Sequence, residues 1–358
     1  MSDSRRDFLK KALIGTGLTL VPGLFLTKVS AAVKTFSVAW SHYTGWEPLE
    51  YARQAGMFEK WGKEFGIKIE LLDPIKYIPS ISLYTGEGVH ACVMTNMDAL
   101  AIPAFGGLDS TVLFPTSFSN GNDGIVAKDI GTVPQLKGRT VNLVQNSVSH
   151  YLLARALAMN NMSERDIEVR NCDEDFIIST FEGDPKGITV TWNPLLMVVR
   201  NVKDAKVIFD STQIPGEIID MMVVQTGAPE EFKRAITGAW YETMTTMSGR
   251  GKSSTDAIAY MAKVAGGTLP EFQAQLRTTM MFYNASAGVD FVMGKEIKQT
   301  MEYVRTFSFA QGLFEGATSK DHVGIRFPDG SVMGNAKNVK LRFEPNYMQL
   351  AVIGKLKT

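Results

Sequence analysis

Cysteine is scarce. Two residues among 358, Cys92 and Cys172, allow at most one disulfide and supply no metal framework. Neither sign of charge prevails, with 37 Lys and Arg against 37 Asp and Glu. The chain therefore lacks the electropositive face that nucleic acid or a polybasic membrane contact requires. The four histidines, His42, His90, His150 and His322, include no two at metal-ligand spacing. There is no G-x-S-x-G elbow, P-loop, H-E-x-x-H or C-x-x-C, and no heptad or repeat. Nothing here demands an enzyme, and no cofactor or metal is expected. What is present is ordinary globular material, 45% hydrophobic and 21% charged. The length fits about two domains of ~150 residues and is ample for a large core.

The first thirty residues read as an address. Arg5 and Arg6 precede Phe8, Leu9 and Lys10, and an apolar stretch from Ala12 to Leu26 leads to the small residues Ser30, Ala31 and Ala32. Gly15, Gly17, Pro22 and Gly23 interrupt that stretch. It is too short and broken for a spanning helix, which needs ~20 apolar residues. The layout is that of an export signal over 1–32, and the paired arginines are similar to the twin-arginine type, which implies the twin-arginine export machinery as a partner. Its removal strips five basic and two acidic residues, leaving a mature chain of net charge about −3. The expected location is the periplasm.

From Phe36 onward, short β-branched runs alternate with helical stretches. Strands are expected at 36–40, 67–72, 91–95, 110–114, 124–127, 140–144, 187–192, 206–209 and 221–225. Helices are expected at 47–62, 78–84, 97–105, 148–160 and 176–182. Beyond Pro229 the chain reads as almost entirely helical, with candidates at 229–247, 254–264, 270–279 and 286–309. This alternation indicates an α/β protein built from βαβ units on parallel sheets. The Gly-, Asn- and Asp-rich segment 120–124 and the run near 225–227 read as two crossings between lobes. Lobe 1 is expected over 33–120 plus 226–358 and lobe 2 over 121–225, forming a hinged clamp around a cleft.

Ligands of open α/β sheets sit outside the carboxyl ends of the strands, so the loops there hold the candidates. The first contains Trp40, Tyr43 and Trp46, the next Asn96 and Asp98, and the first crossing Asn120 and Asp123. The second lobe offers Ser147, Ser149, His150, Trp192 and Asn193, then Glu217 and Asp220. Each has a plainer reading as well. Asp98, Ser147 and Ser149 suit helix caps, Asn120 and Asp123 suit turns, and the tryptophans suit packing. His150 suits a structural hydrogen bond at its helix start, and Glu217 with Asp220 a surface ion pair. These loops combine carboxylates with aromatic rings and contain no Lys or Arg. Phosphate, sulfonate or nitrate sites use Arg forks or backbone N–H nests. Carboxylates beside aromatic faces suit a small planar cation, or a neutral amide rich in N–H donors.

Several segments together resemble the periplasmic solute-binding proteins of ABC importers, in the nitrate/taurine-type group and its urea-carboxylase-associated branch. They are 92–103, 117–126, 141–144 with 147–155, 190–194, 214–220, 238–244 and 339–343, in one order along nearly the whole mature chain. The resemblance implies a two-lobed type II periplasmic binding protein fold. It also implies delivery of a small-molecule solute, guanidine or urea, to an ABC permease and its ATPase. A binding protein for a larger pyrimidine or amidine is the alternative within that class. A periplasmic enzyme or a sensor partner on the same fold is the alternative outside it. The twin-arginine leader departs from the Sec signals common in this group.

Overall fold

The computed structural model describes residues 33–358, so the expected leader at 1–32 lies outside the described residues. The strands are β1 (Lys34–Ala39), β2 (Ile67–Leu71), β3 (Ala91–Thr95), β4 (Ser110–Ser119), β5 (Asp123–Ala127), β6 (Thr140–Leu143) and β7 (Glu168–Asn171). They continue with β8 (Ile188–Trp192), β9 (Lys206–Asp210), β10 (Ile219–Gln225), β11 (Thr279–Met281), β12 (Gly324–Arg326), β13 (Val332–Met333) and β14 (Val339–Phe343). They form two sheets. The nine-stranded sheet runs β13-β12-β14-β4-β10-β3-β1-β2, with β11 on the end of β4, and the five-stranded sheet runs β7-β6-β8-β5-β9. Helices pack around both, and the architecture is α/β.

Burial explains the central strands. Every residue of β3, β5 and β8 is buried, as their unbroken apolar and small-polar runs require of strands covered on both faces. Each fully buried Val, Ile or Met there contributes about 1.5–3 kcal/mol of apolar transfer. Helix Val148–Met159 starts at Ser147, whose hydroxyl accepts the Ser149 N–H at 3.2 Å. Glu230 and Glu231 sit in the first turn of helix Glu230–Ser248, where carboxylates complement the helix dipole.

Three expectations change. The sheets are mixed rather than parallel, because β10 runs antiparallel between β3 and β4, and β5 runs antiparallel between β8 and β9. The segment beyond Pro229 is not wholly helical, since it supplies β11 to β14; these are short strands of two to five residues, too brief to show a period. The second crossing moves as well. The chain passes from the larger sheet to the smaller between β4 and β5. It returns between β9 and β10, over 211–218, not near Gln225, so 219–225 belongs with the larger sheet. Two helices are also divided. The stretch 47–62 breaks at Gly56, whose φ of 70° suits glycine, and 286–309 breaks at the extended Gly294. Cys92 in β3 of the larger sheet and Cys172 just after β7 of the smaller one are buried free thiols.

Candidate functional site

Both sheets direct strand ends at one small cavity, which has about 40 Å³ of room for the centre of a water-sized sphere. The loop after β1 contributes Tyr43, Gly45 and Trp46, and β3 ends there at Thr95. The crossing out of β4 brings Ser119, Asn122 and Asp123, and helix Val148–Met159 presents its cap Ser147. Trp192 ends β8, and Ile218 and Asp220 lie at the start of β10.

The walls are aromatic. Tyr43 meets Trp46 edge-on at 4.8 Å between centroids, Tyr77 at 5.7 Å and Trp192 at 6.2 Å. Burial, and then the charge of Glu174, push the Tyr43 phenol above its ordinary pKa, so it stays protonated. Tyr77 was not anticipated, because it opens a helix (Tyr77–Thr85) rather than following a strand. Its hydroxyl donates to Asp98 Oδ2 at 2.5 Å and accepts the Thr95 N–H at 3.0 Å.

Two carboxylates face the cavity. Asp220 is the register partner of Ser117 on β4, whose hydroxyl donates to Asp220 Oδ2 at 2.6 Å. Burial raises the Asp220 pKa to about 6. The Ser117 hydrogen bond and the nearby Trp46 indole oppose that rise, although Trp46 Nε1 makes no well-formed hydrogen bond. Asp123 pairs in register with Trp192 and accepts from Ser119 Oγ at 2.5 Å through Oδ2, leaving buried Oδ1 without a partner. Burial raises Asp123 to about 7, against the Ser119 bond and with help from the charge of Asp220. Among the described residues, no Lys or Arg lines this cavity. Gly45 allows the close approach of its loop, since a Cβ there would lie 2.5 Å from Ser117 Oγ and 3.4 Å from Asp220 Oδ2.

Of the fourteen residues singled out from the sequence, Tyr43, Trp46, Asp123, Ser147, Trp192 and Asp220 line the cavity. The other eight stand elsewhere. Trp40 is wholly buried, and its indole donates to the Leu72 carbonyl at 2.9 Å, so it is core. Asn96 spends its amide on β10, donating to the Glu217 carbonyl and accepting the Ile219 N–H. Asp98 lies behind Tyr77 and fixes that ring. Asn120 gives way to Asn122, two residues along the crossing. Ser149 is buried behind the cavity lining, and Asn193 binds Thr278 Oγ1 at 3.1 Å.

His150 and Glu217 belong to another contact. The His150 ring accepts the Asn146 N–H at 3.2 Å and packs edge-on against Phe307. Glu217 accepts two bonds from Arg155, at 2.7 and 2.9 Å, and one from the Tyr151 hydroxyl at 2.6 Å. Arg155 escaped notice because it sits two turns into its helix, outside every strand-end loop. It neutralises the carboxylate that the loop pattern had assigned to the ligand.

This framework has relatives of known structure. The aliphatic sulphonate binding protein SsuA of Escherichia coli, described as periplasmic, aligns at a TM-score of 0.66 with 16% identity, covering 79% of this chain and 94% of that one. The alkanesulfonate-binding protein SsuA of Xanthomonas axonopodis pv. citri, bound to MOPS, aligns at 0.64 with 16% identity, over 80% and 96%. The chain has the periplasmic binding protein fold. By sequence, a Brucella abortus (strain 2308) protein provisionally named a binding protein is 24% identical over 273 residues, covering 73% of this chain and 79% of the relative. No protein-family profile matches. Within the binding-protein fold, the cavity of this chain departs from what a sulfonate needs, because its charged lining is acidic.

Proposed function

We propose that the chain is the periplasmic solute-binding component of an ABC importer, and that it captures a small planar nitrogenous solute, guanidine or urea, between its two sheets. The observation that carries this reading is the pairing of Asp123 and Asp220 with Tyr43, Trp46, Tyr77 and Trp192 in a cavity lined by no Lys or Arg. Buried Asp123 Oδ1 has no partner among the described residues, and a ligand N–H supplies one. The aromatic faces suit a flat cation, which favours guanidinium over urea. The two lobes meet at the crossings after β4 and before β10, and closure around the ligand presents the loaded form to the permease. The fold shared with periplasmic binding proteins and the export signal read at 1–32 support the location.

A ligand of four heavy atoms, at the ceiling of about −1.5 kcal/mol per atom, gives roughly −6 kcal/mol, a Kd of tens of micromolar. Calorimetric titration of the ligand-stripped protein with guanidinium, urea, taurine, nitrate and an aminopyrimidine tests the assignment. Heat from guanidinium or urea, with silence from taurine and nitrate, is the expected result. Binding of taurine or nitrate alone would overturn it.

A further inference from the structure

Next to the inner cavity lies a second, wider space, a vestibule of about 1,050 Å³ with open solvent included. Tyr43, Tyr77 and Trp192 line both spaces, so one set of rings borders the two. At the mouth, Lys76 Nζ from the larger-sheet side meets Asp175 Oδ2 from the smaller-sheet side at 2.7 Å. Glu174, next to that bridge, is half-buried, and among the described residues its carboxylate makes neither a hydrogen bond nor an ion pair. Burial is the main cause that raises its pKa, and Lys76 opposes it. Ser41, only 3% exposed, lines the same vestibule with a hydroxyl that has no partner. His42 is already engaged by Glu47, at 2.7 Å. Tyr43 borders the vestibule together with Glu174 and the inner cavity together with Asp220.

The geometry points to a second subsite in this vestibule, which takes the tail of an N-substituted guanidinium or amidinium and holds a second cationic group against Glu174 and Ser41. This rests on the reading of the inner cavity as the seat of a planar cation. Unsubstituted guanidinium fills the inner seat and leaves half-buried Glu174 unpaired. A ligand with an amine on a short chain satisfies both ends at once.

The experiment titrates the purified full chain with guanidinium, N-butylguanidinium, 4-aminobutylguanidinium and 4-guanidinobutyrate. The amino-tailed ligand is expected to bind about tenfold more tightly than the butyl one, and the carboxylate-tailed ligand more weakly than either. Glu174→Gln should bring the amino and butyl ligands to equal affinity. Equal affinities in the unaltered protein, or a preference that survives Glu174→Gln, would overturn the subsite. If guanidinium itself still binds in that case, the inner seat stands. Silence from all four ligands overturns the inner seat and the vestibule together.

Discussion

Where helix Val148–Met159 meets helix Glu296–Ala310, the half-buried charges of Arg155 and Glu217 answer each other. Arg155 is clamped by Glu217 and lies 4.2 Å over the Tyr303 ring, Tyr151 and His150 pack edge-on against Phe307, and Gln311 donates to Glu164 at 2.7 Å. In the inner cavity, Asp123 and Asp220 have only serine hydroxyls as side-chain partners, and burial raises their pKa values. Both regions bridge the two sheets with acidic residues from the same stretches of sequence. One is complete as folded and holds the halves together. The other is left short of positive charge, which is the condition for taking it from a ligand.

Removing the cavity charge should have the largest effect. Asp123→Asn or Asp220→Asn should weaken guanidinium binding roughly 10–100-fold, the worth of a charge-assisted hydrogen bond, and weaken urea much less. Equal losses for both ligands, measured by calorimetry, would remove the contrast with the Arg155 contact. The same substitutions should raise the melting temperature of the ligand-free protein at pH 8 by roughly 2–6 °C, because each removes a carboxylate that burial holds at a raised pKa.

Glu217→Ala attacks the other region. It strands Arg155, 21% exposed at its side chain, and should cost about 2 kcal/mol of stability in denaturant unfolding. The ratio of guanidinium to urea affinity should stay as it was, because Glu217 does not border the cavity. A changed ratio would mean that the two regions are coupled electrostatically.

The division between these regions was only half legible in the sequence. Central strands such as 91–95 declare themselves by unbroken apolar runs, and strand ends followed by Tyr43, Trp46, Asp123 and Trp192 mark where a cleft forms. Side-chain direction is not declared. Trp40 and Trp46 belong to one loop, yet the first turns into the core and the second into the cavity. Asp220 and Glu217 are three residues apart, and their difference is made by Arg155, which lies 62 positions away from Glu217. Nothing local signals such a pairing. β10 was misassigned for a similar reason, since an antiparallel strand that re-enters an earlier sheet has the same local pattern as one that stays behind.

Acidity offers a finer probe of the same contrast. Guanidinium requires ionised carboxylates, so its affinity should be flat above about pH 7 and fall as pH drops through about 7 and then 6, the values for Asp123 and Asp220. The fall is at most about tenfold per pH unit for each group. Urea binding should change much less over that window. The ligand-free protein should move the opposite way. A carboxyl raised in the folded state binds more protons there than when unfolded, so stability declines as pH rises from about 4 to about 7. An affinity for guanidinium that is constant from pH 5 to 8 would exclude these two groups as its counter-ions.

The smallest expected effect belongs to the mouth. Lys76 and Asp175 are exposed and bridge the two halves by one contact, so water and salt screen them. Lys76→Ala should leave the melting temperature unchanged. It also removes the cation nearest Glu174, which strengthens the pull of the vestibule on a second positive charge. Stopped-flow dissociation should therefore quicken a few-fold for guanidinium, which loses a closed door, and quicken less for an amine-tailed ligand, which gains a less opposed carboxylate. Raising the salt concentration should shrink both differences. Identical changes for the two ligands would reduce the bridge to a simple latch and detach it from the charge balance that separates the cavity from the Arg155 contact.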